Sequence, residues 1–256
     1  MMSQGTAIFP PIRDRAVLSE LDALAARHRA ASGLGMQVLA ALGDSTETLL
    51  GKLPARVRDR LQGATEAALD NAFAAAAVSR GVMADRSDWV NTALATAMGA
   101  AGGLGGLPGA LAELPLTVTV LLRAIQGIAQ EHGFDPADEA VRIECLAVFA
   151  SAGPMVEDDG TDMGLVTAKL TITGASLQAL IAKVAPRLSV ALGQKLAAQA
   201  TPVLGAIAGA AINYSFTSYY QDIARVHFGL KRLALSHDLD EGFLREDLRA
   251  RISTRR

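Results

Sequence analysis

Residues 89–112 read WVNTALATAMGAAGGLGGLPGALA and carry no charged side chain. A second uncharged stretch, residues 196–221, reads LAAQATPVLGAIAGAAINYSFTSYYQ. Alanine and glycine side chains bury little area, so such segments stabilise a fold only where helix backbones approach closely. Both stretches therefore predict helices that pack tightly against neighbours, either in a protein core or in a bilayer.

Glycines in both stretches recur at a spacing of four residues, which places them on one helix face and lets another backbone approach. The predicted packing glycines are Gly99, Gly102, Gly103, Gly106, Gly205 and Gly209. Around them, the glycine cluster and the prolines Pro108 and Pro115 weaken a continuous helix. The first stretch thus predicts a helix, a glycine-rich break and a second helix over 110–131, folded as a buried hairpin or as a bilayer span.

Elsewhere apolar residues recur at helical spacing, and a strand pairing partner is nowhere indicated. The predicted fold class is all-α, a multi-helix bundle with two Gly/Ala-rich, close-packed apolar helical segments. A flexible leader is expected over 1–12, a helical domain over 13–235 and an amphipathic basic helix over 236–256. Within the domain, the predicted helices cover 13–31, 54–78, 110–131, 135–149, 163–186, 188–200 and 201–235.

Capping signals set several of these boundaries. His132 and Gly133 predict a helix end, because glycine accepts the left-handed conformation that follows many helices. Asp135 is the expected N-cap of the next helix, with Pro136 in its first turn. Pro186 is expected to end a helix, and Asp240 to cap the last one.

Composition narrows the class of protein. Half of the 256 residues are hydrophobic and a fifth are charged, which excludes a disordered chain. The net charge of −2 provides no concentrated basic surface, so nucleic acid is not an expected partner. A single cysteine, Cys145, suits a reducing compartment, and no targeting signal is evident. We expect a cytoplasmic protein, unless internal segments bring it to the inner membrane.

No constellation for catalysis, cofactor binding or metal binding is evident in the sequence. The four histidines lack metal-ligand spacing, and the nucleophile elbow and the Walker motif are both absent. The acidic run in 153–164 lacks the alternating ligands of a calcium loop, which favours a solvated loop. Cys145 lies in an apolar stripe, as inert core thiols do. The sequence therefore predicts a protein that is not an enzyme and needs no cofactor.

A few polar residues in apolar surroundings remain as candidate functional or buried polar groups. Glu113 and Arg123 stand in the otherwise apolar helix 110–131, where a buried carboxylate must be paired or protonated. Asn213 and Tyr214 stand where the apolar half of the last long helix ends, as hydrogen-bonded core groups or at a membrane interface. His227 follows on that helix. A pocket joining Glu113, Arg123 and His227 would favour an enzyme.

Three stretches together resemble the EcsC family of bacterial proteins. They are ELPLTVTVLLRAIQGIAQEHG at 113–133, RIECLAVFA at 142–150 and TPVLGAIAGAAINYSFTSYYQDIARVHFGLKRL at 201–233. The first stretch resembles the family's ELP and LR-I elements at Glu113, Leu114, Pro115 and Arg123. The third stretch resembles a later block of the family at Asn213, Phe216, Ala224, His227 and Phe228. The resemblance, which extends over about 54–235, implies a helical protein linked by its family name to an operon that encodes an ABC transporter. It implies no catalytic residue.

Two hypotheses about function follow. The first is a membrane-associated accessory to transport or secretion, whose partners are a membrane surface or transporter components. Its basis is the pair of uncharged segments, the family resemblance and the basic C-terminal helix, which suits either an anionic membrane surface or solvent. The alternative is a soluble helical module that holds an apolar ligand or a lipid between its helices.

Overall fold

The computed structural model describes residues 12–31, 33, 36–37, 40, 46–79, 106–149, 151, 153–154, 177–199 and 205–254. Within its helices, the side chains at 46–47, 49, 73–79, 106–113, 177, 199, 205–209 and 254 lie outside the description. The described residues form helices and no strand, which confirms the predicted all-α bundle. In chain order the helices are α1 (Arg15–Ala31), α2 (Thr46–Gly51), α3 (Ala55–Ser79), α4 (Gly106–Glu131), α5 (Glu139–Val148), α6 (Leu177–Gln199), α7 (Gly205–Ser236) and α8 (Glu241–Thr254).

Helix α7 is the longest helix described, and it belongs to two hydrophobic clusters. Its middle, including Phe216 and Tyr220, is buried with α3, α4, α5 and α6 in the larger cluster. Its C-terminal end, including Leu230, is buried with α1 and α8 in a smaller cluster. A helix of this length spans roughly 48 Å, long enough to pass through both layers. The N-terminal and C-terminal helices therefore pack together around one end of α7.

Helix α8 has the predicted amphipathic pattern, and its apolar face is buried rather than solvated. Leu244, Leu248 and Ile252 lie in the smaller cluster. Arg251, one of the basic residues of this segment, pairs with Asp22 of α1 at 2.8 Å and with Asp247 at 2.9 Å. This arginine is thus engaged within the fold.

The predicted cap at Asp240 and the predicted end at Gly133 are confirmed. The backbone N–H of Phe243 donates to Oδ1 of Asp240 at 2.8 Å. At the end of α4, Gly133 has φ of 86°, and the N–H of Phe134 donates to the carbonyl of Ala129 at 3.0 Å. That pairing, with Gly133 N–H donating to Gln130 O at 2.9 Å, is a Schellman ending.

Three predicted boundaries are wrong. Asp135 is not the N-cap of α5. Its Oδ1 accepts a hydrogen bond from the N–H of Ala137 in a turn, and α5 begins at Glu139 with Asp138 as its N-cap. Pro186 does not end a helix, because α6 runs through it. Pro186 and Ala182 are both exposed, so water can solvate the carbonyl of Ala182, which the proline leaves without its helical donor. Pro115, likewise exposed, is inside α4, which begins at Gly106 rather than at 110.

Helices pack closely at Gly193 of α6, a glycine outside the predicted set. A Cβ there would lie 2.8 Å from Cδ2 of Leu50 and 2.8 Å from Cδ2 of Leu61. This glycine therefore lets α6 approach α2 and α3. The predicted Gly99, Gly102 and Gly103 lie outside the described residues, and the surroundings of Gly106, Gly205 and Gly209 are not described either.

Substituting Gly193 with alanine is expected to destabilise the protein by about 1 kcal/mol, because overpacking against two leucine methyl groups outweighs the gain in helix propensity. The matched control is Gly63→Ala in α3, where an added Cβ has no neighbour within 4 Å. We expect that control to stabilise by up to about 1 kcal/mol. Urea unfolding checks both, and equal effects of the two substitutions would contradict the packing argument.

Candidate functional site

The described residues singled out by sequence are spread along α4 and α7. Asn213 is buried on α7, whereas the neighbouring Tyr214 is 44% exposed. Arg123 is partly buried on α4. Glu113 lies in the same helix ten residues earlier, about 15 Å along its axis, and its side chain is outside the description. Glu113 and Arg123 therefore do not lie side by side.

His227 is the predicted residue with the clearest polar partners. Its Nε2 lies 3.1 Å from Oε2 of Glu144, a residue of α5, and Lys231 on the next turn of α7 donates to Oε1 of the same carboxylate. The ring of Phe134 lies 5.1 Å from Nζ of Lys231, and that of Phe228 stacks edge-on with His227. One carboxylate thus joins two α7 side chains and fixes α5 against α7.

The electrostatics of this cluster depend on its partial burial. Burial alone raises the pKa of Glu144, but the hydrogen bonds and charges of His227 and Lys231 outweigh burial and leave the pKa below its ordinary value. The next residue, Cys145, is fully buried, and burial together with the Glu144 charge raises the pKa of its thiol. A thiol in this environment is protonated at neutral pH and is a poor nucleophile.

A second polar arrangement lies on the opposite side of α7, in a groove between α1 and α7. At 100° per residue, Asp222, Arg225 and Gly229 face one way, and His227 and Lys231 face the other. The groove has a volume of about 610 Å³. Its polar lining residues are Glu20, Arg27, His132, Asp222 and Arg225. This volume lies in the range of small-molecule sites.

Two guanidinium groups meet at one carboxylate in the groove. Arg27 of α1 donates to Oδ1 of Asp222 at 2.7 Å, and Arg225 approaches the same oxygen at 3.6 Å. Burial and the nearby charge of Arg27 both lower the pKa of Arg225, in that order. The two arginines are therefore close enough to repel each other, and a shared oxyanion compensates that repulsion.

The middle of the groove is lined by small groups and one imidazole. A Cβ at Gly229 would lie 3.0 Å from Cδ2 of Leu24 and 3.8 Å from Nε2 of His132. Nδ1 of His132 lies 2.8 Å from the carbonyl oxygen of Ile128, which only accepts, so Nδ1 carries the proton. In the neutral ring, Nε2 is then a hydrogen-bond acceptor beside Gly229.

Sequence reasoning missed Glu144 and the groove. Glu144 is 83 residues from His227, and Arg27 is 195 residues from Asp222. Each residue reads as an ordinary polar position of an amphipathic helix. The only sequence signal is the placement of Asp222 and Arg225 within one turn of α7. Within the described part of the chain, no group of His, Cys, Asp and Glu side chains is arranged to hold a metal ion.

Residues 79–233 match the model of the EcsC protein family. The chain belongs to the EcsC family. The matched segment contains the whole Glu144, His227 and Lys231 cluster and the α7 side of the groove. Helix α1, with Glu20 and Arg27, precedes the EcsC match, so the groove is built partly from outside it.

A search of curated proteins and a search of solved structures found no match for this EcsC family chain. None of the described helices combines the length and the apolar character needed to cross a membrane. The alternative of a bilayer span over 89–112 falls mainly on residues outside the description.

Proposed function

We propose that this EcsC family protein binds the inner-membrane surface from the cytoplasm and acts there as an accessory to transport or secretion. The observation that carries the proposal is the groove between α1 and α7, where Arg27 and Arg225 converge on one oxygen of Asp222. Paired guanidinium groups in a groove of about 610 Å³ suit the phosphate group of a lipid. The contact is therefore peripheral.

Asp222 supports this proposal because both guanidinium groups are already directed at one of its anionic oxygens, as they would be at a phosphate oxygen. Arg27 is 46% exposed at its side chain and Arg225 is 24% exposed, so both are accessible from the groove. Arginine also presents its donors in a planar fork that matches phosphate oxygens. The link to transport rests on the family resemblance, and the proposal assigns no reaction to the protein.

Fractionation of cells that contain the native protein tests the proposal. We expect the protein in the membrane fraction, and we expect alkaline carbonate to release it, because a peripheral contact does not survive that wash. The purified protein should also sediment with phospholipid vesicles. Recovery from the cytosol alone, together with no sedimentation with vesicles of any composition, would contradict membrane association.

A second candidate function is the binding of an apolar ligand with a polar head inside the bundle. Three buried polar atoms favour this candidate, because none of them has a hydrogen-bond partner among the described residues. They are Nε2 of Gln126, Oε1 of Gln194 and the hydroxyl oxygen of Tyr220. Buried polar atoms of this kind usually have a partner. Native mass spectrometry of the purified protein tests this candidate, and a mass equal to that of the bare chain would argue against it.

A further inference from the structure

We infer that the groove between α1 and α7 recognises a zwitterionic phospholipid headgroup with a primary ammonium, of the phosphoethanolamine type. The phosphate binds at Arg27 and Arg225, and the ammonium binds towards Glu20 and His132. This inference rests on the proposed membrane association and adds the headgroup class to it.

The charges of the lining favour a zwitterion over a polyanion. Two guanidinium groups, Arg27 and Arg225, are balanced by two carboxylates, Glu20 and Asp222. A ligand with several negative charges would approach both carboxylates and be repelled by them. A ligand with one phosphate and one ammonium instead adds no net charge to the groove, and each of its charges has an opposite partner there.

The charges are also ordered along the groove. The contacts of Arg27 with Asp222 and of Leu24 with Gly229 show that α1 and α7 run antiparallel. Glu20 lies one further turn from Leu24, so it is at the end away from the arginines. Arg27 and Glu20 are thus about 10 Å apart along α1. In the proposed complex, a phosphate and an ammonium joined by two carbons lie between these two lining residues.

The acceptors at the Glu20 end suit an ammonium that still carries N–H donors. Glu20 is exposed and makes no ion pair within the described part of the chain. Nε2 of His132, between the two ends, accepts hydrogen bonds when the ring is neutral. The small side chains of Ala23, Ala26 and Ala30 line the groove beside the linker of the headgroup. A quaternary ammonium lacks donors and cannot make these hydrogen bonds.

Vesicle sedimentation tests this selectivity at constant net charge. Vesicles of phosphatidylcholine are compared with vesicles in which part of it is replaced by phosphatidylethanolamine, so that the exchange changes only the ammonium group. We expect the full chain to bind the second kind about tenfold more tightly. Glu20→Gln should abolish that preference, and Arg225→Gln should weaken binding to both kinds. Arg225→Lys should only partly restore binding, because lysine lacks the fork.

Controls and a soluble probe separate this inference from the proposed function. Glu246→Gln and Arg58→Gln change exposed charges outside the groove and should leave the preference intact. Calorimetric titration with glycerophosphoethanolamine should show binding that Glu20→Gln weakens. Equal binding of wild type and all variants to both vesicle kinds would overturn the headgroup inference and leave membrane association standing. Absence of vesicle binding would overturn membrane association, and absence of glycerophosphoethanolamine binding would overturn the headgroup inference.

Discussion

Substituting Gly153 with alanine is expected to lower the free energy of unfolding by about 3 kcal/mol. Gly153 is buried, its φ is 94°, and an added Cβ would lie 2.9 Å from Cβ of Ala191 in α6. A positive φ strains any residue with a Cβ by about 1–2 kcal/mol. The contact adds overpacking against a short side chain that cannot rotate away.

Two controls separate these contributions to the effect of Gly153→Ala. Gly133 has a similar φ of 86°, but an added Cβ there would have no neighbour within 4 Å. Gly133→Ala should therefore lower the free energy of unfolding only by the backbone strain of the positive φ. Gly127 lies inside α4 and also has no close neighbour, so Gly127→Ala should be neutral or slightly stabilising. Denaturant unfolding provides the three values. If Gly153→Ala and Gly133→Ala destabilise equally, the contact with Ala191 is not the cause.

Replacing Glu144 with glutamine is expected to destabilise the protein by about 2 kcal/mol at neutral pH. The side chain of Glu144 is 23% exposed, and it accepts from both His227 and Lys231. Hydrogen bonds to a charged group contribute more than neutral ones, and the loss leaves the charge of Lys231 in a partly buried place without its partner. Glu131→Gln, at an exposed position of α4, is the matched control and should change stability by less than about 0.5 kcal/mol.

The effect of Glu144→Gln should decrease in acid. The folded pKa of Glu144 is below the ordinary value of 4.5, because His227 and Lys231 outweigh the opposing effect of burial. The unfolded chain therefore takes up the proton first as the pH falls. The stabilisation by Glu144 is complete well above pH 4.5 and is lost as the pH falls through the lower, folded pKa.

Unfolding of wild type and Glu144→Gln between about pH 7 and pH 3 measures that change. The charged and titratable groups around the carboxylate are His227, Lys231, Cys145 and Arg245. All are present in both proteins, so the difference between the two proteins reports the interactions of the Glu144 carboxylate with this group. A difference in unfolding free energy that stays constant over this range would contradict the role assigned to the ionised carboxylate.

Local signals account for the parts of the fold that sequence predicted well. The helix starts at Pro54 and Asp240 and the helix end at Gly133 each depend on residues within one turn. A local sequence pattern therefore predicts these boundaries. Pro186 misled for the opposite reason. The cost of a proline inside a helix depends in part on whether water can solvate the carbonyl that it leaves unpaired, and burial is a tertiary property.

The candidate sites show the same division. The family motifs drew attention to His227, but its partner Glu144 lies on another helix, and periodicity indicates no pairing between helices. The groove depends on α1 folding back on α7 with Leu24 against Gly229. No local sequence pattern predicts this approach, because an amphipathic helix can bury its apolar face against any of several other helices.

The helical class and the membership of the EcsC family could both be read from the order of residues. Helical spacing, caps and ordered family motifs are all recorded in the order of residues. Three features became evident from the packing of the described helices: α1 and α8 pack around the end of α7, Gly193 and Gly153 lie close to neighbouring side chains, and Arg27 meets Arg225 at Asp222. These features are contacts between helices distant in the chain. Their energy depends on the distances that packing sets, which no single segment specifies.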